Sequence, residues 1–534
     1  MWALDLGTTN SLLARWDTAA DKPALLEMPE ITRRCTKNEI GDPSRAVPSA
    51  LHVFDAPTFW ARLGPVSHGL LIGRTALIGR EALDMNLLRH RPNFVPTFKR
   101  QLARAPLSTV ARAGGRAISA REAVYLYVRE LLTHAKRASG QRIRELVITS
   151  PVDAYETYRA EVAAIAKRLG IRKVQFLDEP VAAALGYGIG LTRERRALIV
   201  DFGAGTLHMA LLEIGPSAKG AVIAKAARDL GGNLVDRWVL EHLCKRLEYD
   251  PSAQAPDEAR LWESLMLAEA CRAKEAVYFD EKASIEFAPP HRPSTSVELD
   301  RATLVRILDE RGLYRALTRC LEEILQQAAP KGVSEHEIDD VMMVGGSTLL
   351  PDVYSLFEGR FGRAKVRAWQ PFEAVVYGAA VFAAGRTVPS DFIVHDYALL
   401  TYGLQTKDPE HTVVIPRGTS FPTTPNFWKR QLVPTCALGE PERIFKLVIC
   451  EIGSGDGFVW DSEGRLHHDG AVVVKLNEAN PALGRLDPPH LPSDKRPRLE
   501  IGFGVNAERW LCATVRDLQT GKPLMDGEPV VRLL

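Results

Sequence analysis

Cysteine is scarce in this chain and never patterned. Seven residues among 534 (Cys35, Cys244, Cys271, Cys320, Cys436, Cys450 and Cys512) are odd in number, scattered, and form no C-x-x-C pair. That excludes a disulfide framework or a zinc ribbon and fits a reducing compartment. Long apolar runs are also missing: none approaches the ~20 residues that span a bilayer. The opening Met1-Trp-Ala-Leu-Asp-Leu-Gly7 lacks the basic segment and apolar stretch of a secretory signal. Together these features predict a cytoplasmic protein with no membrane partner. Charge of one sign is lacking too, because 68 Lys and Arg face 66 Asp and Glu, so no whole-molecule field argues for nucleic acid. The short runs Arg89-His-Arg91 and Arg193-Glu-Arg-Arg196 read as exposed loops. His467-His468-Asp469 has no further ligands at zinc-site spacing and reads as a solvated turn. No Walker motif G-x-x-x-x-G-K-[ST] occurs.

What is present is an ordinary globular composition, 46% apolar and 25% charged, long enough for roughly two to four domains. To about residue 385, short apolar runs alternate with helical patterns, the signature of an α/β fold with covered sheets. Ser119-Ala-Arg-Glu122 is a capping box, and Val124, Val128, Leu131 and Ala135 recur at helical spacing until Gly140. A strand at Leu146–Thr149, a helix ending at Leu169, a strand at Val174–Leu177 and a helix begun by Pro180 follow. The continuous apolar run Ala197–Val200 predicts a central strand. Helical patterns cover 257–278, 300–328 and about 372–384. From about 397 the texture becomes β-rich, with Pro, Gly and Asp between short runs. These features give three spans: 1–385, an α/β domain; 386–397, a linker; and 398–534, a β-sandwich.

One long-range echo carries chemistry. Asp5-Leu-Gly-Thr-Thr-Asn10 and Asp201-Phe-Gly-Ala-Gly-Thr206 each end an apolar strand and precede another strand-like run. A turn lined by Gly and Thr can direct backbone N–H groups and hydroxyls at phosphate oxygens. An Asp at the strand end can hold Mg²⁺ through water. Two copies predict two related lobes that grip a polyphosphate from both sides.

These two segments resemble the phosphate segments of the heat shock protein 70 family, within the actin and sugar-kinase ATPase superfamily. The resemblance continues in order through Val47-Pro-Ser49, Phe98-Lys-Arg100, Asp178-Glu-Pro-Val-Ala-Ala-Ala-Leu-Gly-Tyr-Gly188, Gly231-Gly232, Arg272-Ala-Lys274, Val344-Gly-Gly-Ser-Thr348 and Glu373-Ala-Val-Val-Tyr-Gly-Ala-Ala380. In the β region, Leu400-Thr-Tyr-Gly-Leu-Gln-Thr406 and Ile415-Pro-Arg-Gly-Thr-Ser-Phe-Pro-Thr423 are similar to the opening of the family's substrate-binding domain. The resemblance implies a two-lobed actin-like ATPase domain, ATP or ADP with Mg²⁺ as cofactors, and hydrolysis by an in-line water. Carried over, Lys99, Glu179, Asp201 and Thr206 form the catalytic set. Asp5, Gly7, Thr8, Thr9, Asn10, Gly203, Gly205, Gly231, Gly232, Lys274, Gly345, Gly346 and Ser347 hold the nucleotide, and Asp5 and Asp201 hold the hydrated metal. A polypeptide client binds through the β domain, with co-chaperones or a nucleotide exchange factor as further partners.

The chain departs from the family at named positions. His208 stands where an acid is usual; Cys271 and Glu275 replace an acid and an arginine around Lys274; Asn233, Leu349 and Phe372 replace a glutamate, an arginine and an aspartate. An imidazole in place of a carboxylate lowers the negative charge offered to a cation, which implies slow hydrolysis; losing planar cations weakens stacking on a purine, which implies weakened adenine selectivity beside more secure nucleotide binding. The linker Asp391-Phe-Ile-Val-His-Asp396 carries His395 where an aliphatic is usual, which predicts weaker, pH-sensitive coupling. The helical lid that follows the family's β domain is expected to be missing. Two other readings stay open: a nucleotide-binding scaffold or sensor with little or no hydrolysis, and a small-molecule kinase.

Overall fold

The first strands pair as the echo predicts. Trp2–Leu6 runs antiparallel to Asn10–Asp17 with Asp5 opposite Leu12, and Arg195–Phe202 runs antiparallel to Leu207–Ile214 with Asp201 opposite His208. Both acids thus face the residue seven positions on. The computed structural model describes residues 1–33, 45–55, 75–86, 91–151, 156–188, 193–215, 221–368, 371–385, 395–402, 409–417, 419–436, 439–453, 458–460, 466–468, 472–507 and 509–533. Most of the 386–397 linker, Arg89, His90 and Asp469 lie outside them. The chain divides into two units. One comprises Met1–Pro151, Glu161–Pro216 and Ile223–Val388; the other comprises Val152–Ala160, Ser217–Val222 and Pro389–Leu534.

In the first unit, each hairpin seeds its own sheet. One sheet runs Lys173–Asp178, Glu145–Ser150, Trp2–Leu6, Asn10–Asp17, Lys22–Leu25, with Val47–Pro48 also paired to Asn10–Asp17. The other runs Ala221–Arg228, Leu207–Ile214, Arg195–Phe202, Asp340–Val344, Val366–Arg367. In both, the acid-bearing strand has its hairpin partner on one side and a parallel strand on the other. The apolar run at 197–200 is central and fully buried, as its composition predicts.

Helix ends obey local chemistry. The helix Ala120–Ser139 opens with Ser119 Oγ accepting from the Glu122 N–H at 3.2 Å and stops at Gly140 with φ 68°. The helical pattern over 300–328 is two helices, Arg301–Glu310 and Leu313–Ala328, rather than one. Gly312 breaks it at φ 74°, a left-handed conformation that glycine adopts without a Cβ penalty.

The two sheets are stitched by a crossed pair of helices. Glu179–Gly186 leaves the first sheet yet packs on Arg195–Phe202 and Asp340–Val344 of the second; Ala374–Ala383 packs back onto Trp2–Leu6 and Asn10–Asp17. Their backbones touch. A Cβ on Gly378 would lie 1.7 Å from the Ala182 carbonyl oxygen, and one on Gly186 would lie 1.9 Å from that of Ala374. The small residues of the two segments at 178–188 and 373–380 therefore fit each other.

In the second unit, every regular element from Asp396 onward among the described residues is a strand. One sheet runs Pro409–Ile415, Asp396–Tyr402, Glu442–Gly453, Val472–Lys475, with Ala482–His490 also on Glu442–Gly453; the other runs Trp428–Leu432, Leu499–Val505, Trp510–Asp517, Pro523–Arg532. Leu399, Phe445, Leu447 and Ile449 of the first meet Phe503, Val505, Ala513 and Val515 of the second in one core. His395 is buried here, its Nδ1 2.7 Å from Glu451 Oε1.

The crossing yields a stability test. Gly378→Ala places a methyl against fixed backbone, and overpacking of this kind costs about 1–3 kcal/mol or more, so thermal melts should show a Tm several degrees lower. Gly359→Ala, in the helix Val353–Phe361 with open space at its Cβ, should leave Tm unchanged or raise it.

Candidate functional site

The first turn is held from behind. Ser49 Oγ donates to the Gly7 carbonyl at 2.8 Å, Thr97 Oγ1 to that of Thr8 at 3.1 Å, and the Ser49 N–H to that of Thr9 at 2.7 Å. In a trans peptide the next N–H points opposite to each carbonyl, so the amides of Thr8, Thr9 and Asn10 face the other side. Gly7 is required, because a Cβ there would sit 2.1 Å from the Asn10 carbonyl oxygen.

The second turn repeats the device with different donors. The Gly203 carbonyl accepts from the Gly232 N–H at 3.1 Å and from Ser347 Oγ at 2.8 Å, and that of Ala204 accepts from the Asn233 N–H at 2.8 Å. The amides of Ala204 and Gly205 thereby face away from these supports. Three glycine segments stack here. A Cβ on Gly231 would lie 2.4 Å from the Ala204 carbonyl oxygen; one on Gly345, at φ 85°, would lie 2.5 Å from that of Phe202 and 3.0 Å from Asp201 Oδ1.

Thr97-Phe98-Lys99 is divided among three tasks. Thr97 supports the first turn, and Phe98 is fully buried with its ring 4.9 Å from that of Tyr127. Lys99 places Nζ 2.8 Å from Glu179 Oε1, with both side chains buried. Glu179 starts its helix immediately after Asp178, which is tied by Ser150 Oγ at 3.2 Å.

Asp5, Asp201, Glu179, Lys99 and His208 share one electrostatic neighbourhood. Burial, then Glu179, pushes the Asp5 carboxyl up to about 6, against Lys99 and a 2.7 Å hydrogen bond from Thr149 Oγ1. Burial, then Glu179, with Asp5 adding to them, pushes Asp201 up to about 7, against His208 and Lys99. Both carboxylates thus feel Glu179 and Lys99, whose own side chains meet at 2.8 Å. His208 faces Asp201 directly across the hairpin.

The donor set suits a hydrated Mg²⁺ and a polyphosphate. Two poorly solvated carboxylates invite a cation, glycines leave room for close approach, and the buried Asn10 Oδ1 has no hydrogen-bond partner among the described residues. Among the described residues no group of three or more His, Cys, Asp or Glu could hold a metal ion, and Mg²⁺ is an ion that ordinarily keeps several of its waters beside one or two carboxylates.

Lys274 sits farther out, 2.7 Å from Asp236 Oδ1 and 3.2 Å from the Gly232 carbonyl oxygen. Asp236, one helical turn after Gly232, is a partner that sequence reasoning missed, as are Thr97 and Thr149; the Gly232-to-Asp236 spacing was the available signal for Asp236. Glu275 pairs with Arg33 at 3.0 Å, and Cys271, its thiol pushed up to about 12 chiefly by burial, lies 3.6 Å from Glu275. Gly346 and Ser347 begin a short turn ending at Leu349.

The family model described as Hsp70 protein matches residues 70–437. Two curated relatives, each called Chaperone protein DnaK and each from a strain of Thermus thermophilus, are 27% identical over 442 residues, or 79% of this chain. The chain spans 66% of their length. No helix among the described residues is long and apolar enough to cross a membrane.

The raised carboxylates fix a pH dependence. Their ordinary value is 3.8, so between about pH 4 and 7 the folded chain holds protons that the unfolded chain has lost, and the contribution of these groups to stability falls as pH rises. Thermal melts of the ligand-free protein should therefore show Asp201→Asn with a shallower fall across this window and a higher Tm than wild type at pH 8.

Proposed function

Because this chain belongs to the Hsp70 family, we propose that its first unit binds and hydrolyses Mg²⁺-bound ATP and that the nucleotide state governs how the β unit holds an extended polypeptide segment. The observation that carries this reading is the convergence of Asp5, Asp201, Glu179 and Lys99 between two turns whose carbonyls are tied backward. The amides of Thr8, Thr9, Ala204 and Gly205, with the Thr206 hydroxyl, bind phosphate oxygens. Asp5 and Asp201 hold the metal through water. When bound, Mg²⁺ neutralises phosphate charge and allows both carboxylates to ionise.

Lys99 stabilises charge on the transferring phosphoryl, since phosphoryl transfer is catalysed mainly by position and electrostatics. Glu179 orients the attacking water and accepts its proton. Their 2.8 Å pairing holds each in place. Membership of the family supports a polypeptide client, co-chaperones and a cytoplasmic setting as parts of this reading. The client makes strand-like and pocket contacts with the β unit.

His208 beside Asp201 favours a second reading, a nucleotide-binding scaffold that barely hydrolyses. Single-turnover hydrolysis separates the two. Wild type should cleave ATP slowly, and Lys99→Ala should lose about 100-fold or more in rate while calorimetry still detects nucleotide. No cleavage by either protein, with binding intact, would favour the scaffold. A phosphorylated product from a panel of sugars and acids would instead identify a kinase.

A further inference from the structure

Phe372 is unused by the site as described above, yet it is built onto it. Its ring is 45% exposed, and exposure alone means little for a single aromatic residue. Two contacts distinguish this one. The carbonyl of the preceding Pro371 accepts the Gly345 N–H at 2.8 Å. A Cβ on Gly346 would lie only 2.7 Å from Phe372 Cε1 and 3.3 Å from Cζ. The ring therefore rests its edge on the glycine turn whose next residue, Ser347, supports the Gly203 carbonyl. It stands at the rim of the polyphosphate site.

Two charged groups near that rim are already paired. Lys274 commits its charge to Asp236, and Glu275 commits its own to Arg33. The turn after Gly346 ends in the apolar Leu349.

We propose that Phe372 is the platform on which the nucleobase stacks, so that this chain recognises nucleoside triphosphates by aromatic contact rather than by reading hydrogen-bonding edges. Every base has a π face, and stacking tolerates its identity. The inference rests on the nucleotide-binding reading above and deepens it by naming the ligand class as nucleoside triphosphates without adenine preference.

Calorimetry on the full chain with Mg²⁺ and ATP, GTP or inorganic tripolyphosphate tests it. ATP and GTP should bind within about three-fold of each other, a difference well under 1.4 kcal/mol, and both more tightly than tripolyphosphate. Phe372→Ala should weaken ATP and GTP together by about five-fold or more, the usual scale of a lost base stack, with tripolyphosphate unchanged. Phe372→Trp should restore both nucleotides. Unchanged nucleotide affinity in Phe372→Ala would overturn the proposal, as would an equal loss for tripolyphosphate, which would mean that Phe372 only props the glycine turn. A wild-type preference of ten-fold or more for one purine would also overturn it, since edge reading would then be at work. Failure of the wild type to bind even tripolyphosphate would sink the nucleotide reading itself, and this inference with it.

Discussion

Two half-buried aspartates under the influence of one glutamate resist ionisation, and this unit is organised around making that tolerable. Asp5 and Asp201 come from strands nearly two hundred residues apart; burial and then Glu179 raise the affinity of both for protons, and Asp5 adds to the effect on Asp201. Only a scaffold that cannot relax keeps such groups close. Carbonyls tied by Ser49, Thr97, Gly232, Asn233 and Ser347 fix the turns, and helix backbones in contact at Gly186 and Gly378 fix the strands that carry them. Lys99 is the one lysine among these groups, and it is itself anchored through Phe98 and Glu179.

Stability and chemistry are therefore in tension at this site. The carboxylates that would attract a hydrated cation are the groups whose ionisation the folded chain resists. A bound cation would relieve that penalty, so the protein should gain stability from its ligand in proportion to what the empty site withholds.

Much of the scaffold is legible in the residues. Alternating apolar runs, the Ser119 cap with its Gly140 stop, and the two acid-glycine turns give the sheets, the long helix and the paired turns, because each is governed by chemistry within a few residues. The misreadings share a cause. A continuous apolar period hid the break at Gly312, which one left-handed residue suffices to make. The partnership of Gly186 with Gly378, the turning of Lys274 toward Asp236, and the contact of Phe372 with Gly346 depend on residues brought together by tertiary packing. Resemblance singled out Lys274 but could not reveal which acid claims it.

The equal spacing of the two hairpins has a consequence for direction. With each acid opposite the residue seven positions later, a ligand of matching halves would find the same grip whichever way round it entered. Polarity must then come from what the duplication did not preserve. Leu12 stands opposite one acid and His208 opposite the other, Lys99 and Glu179 come from the chain around the first sheet, and the layered glycines back only the second turn. These unmatched additions define a head and a tail for whatever lies between the turns.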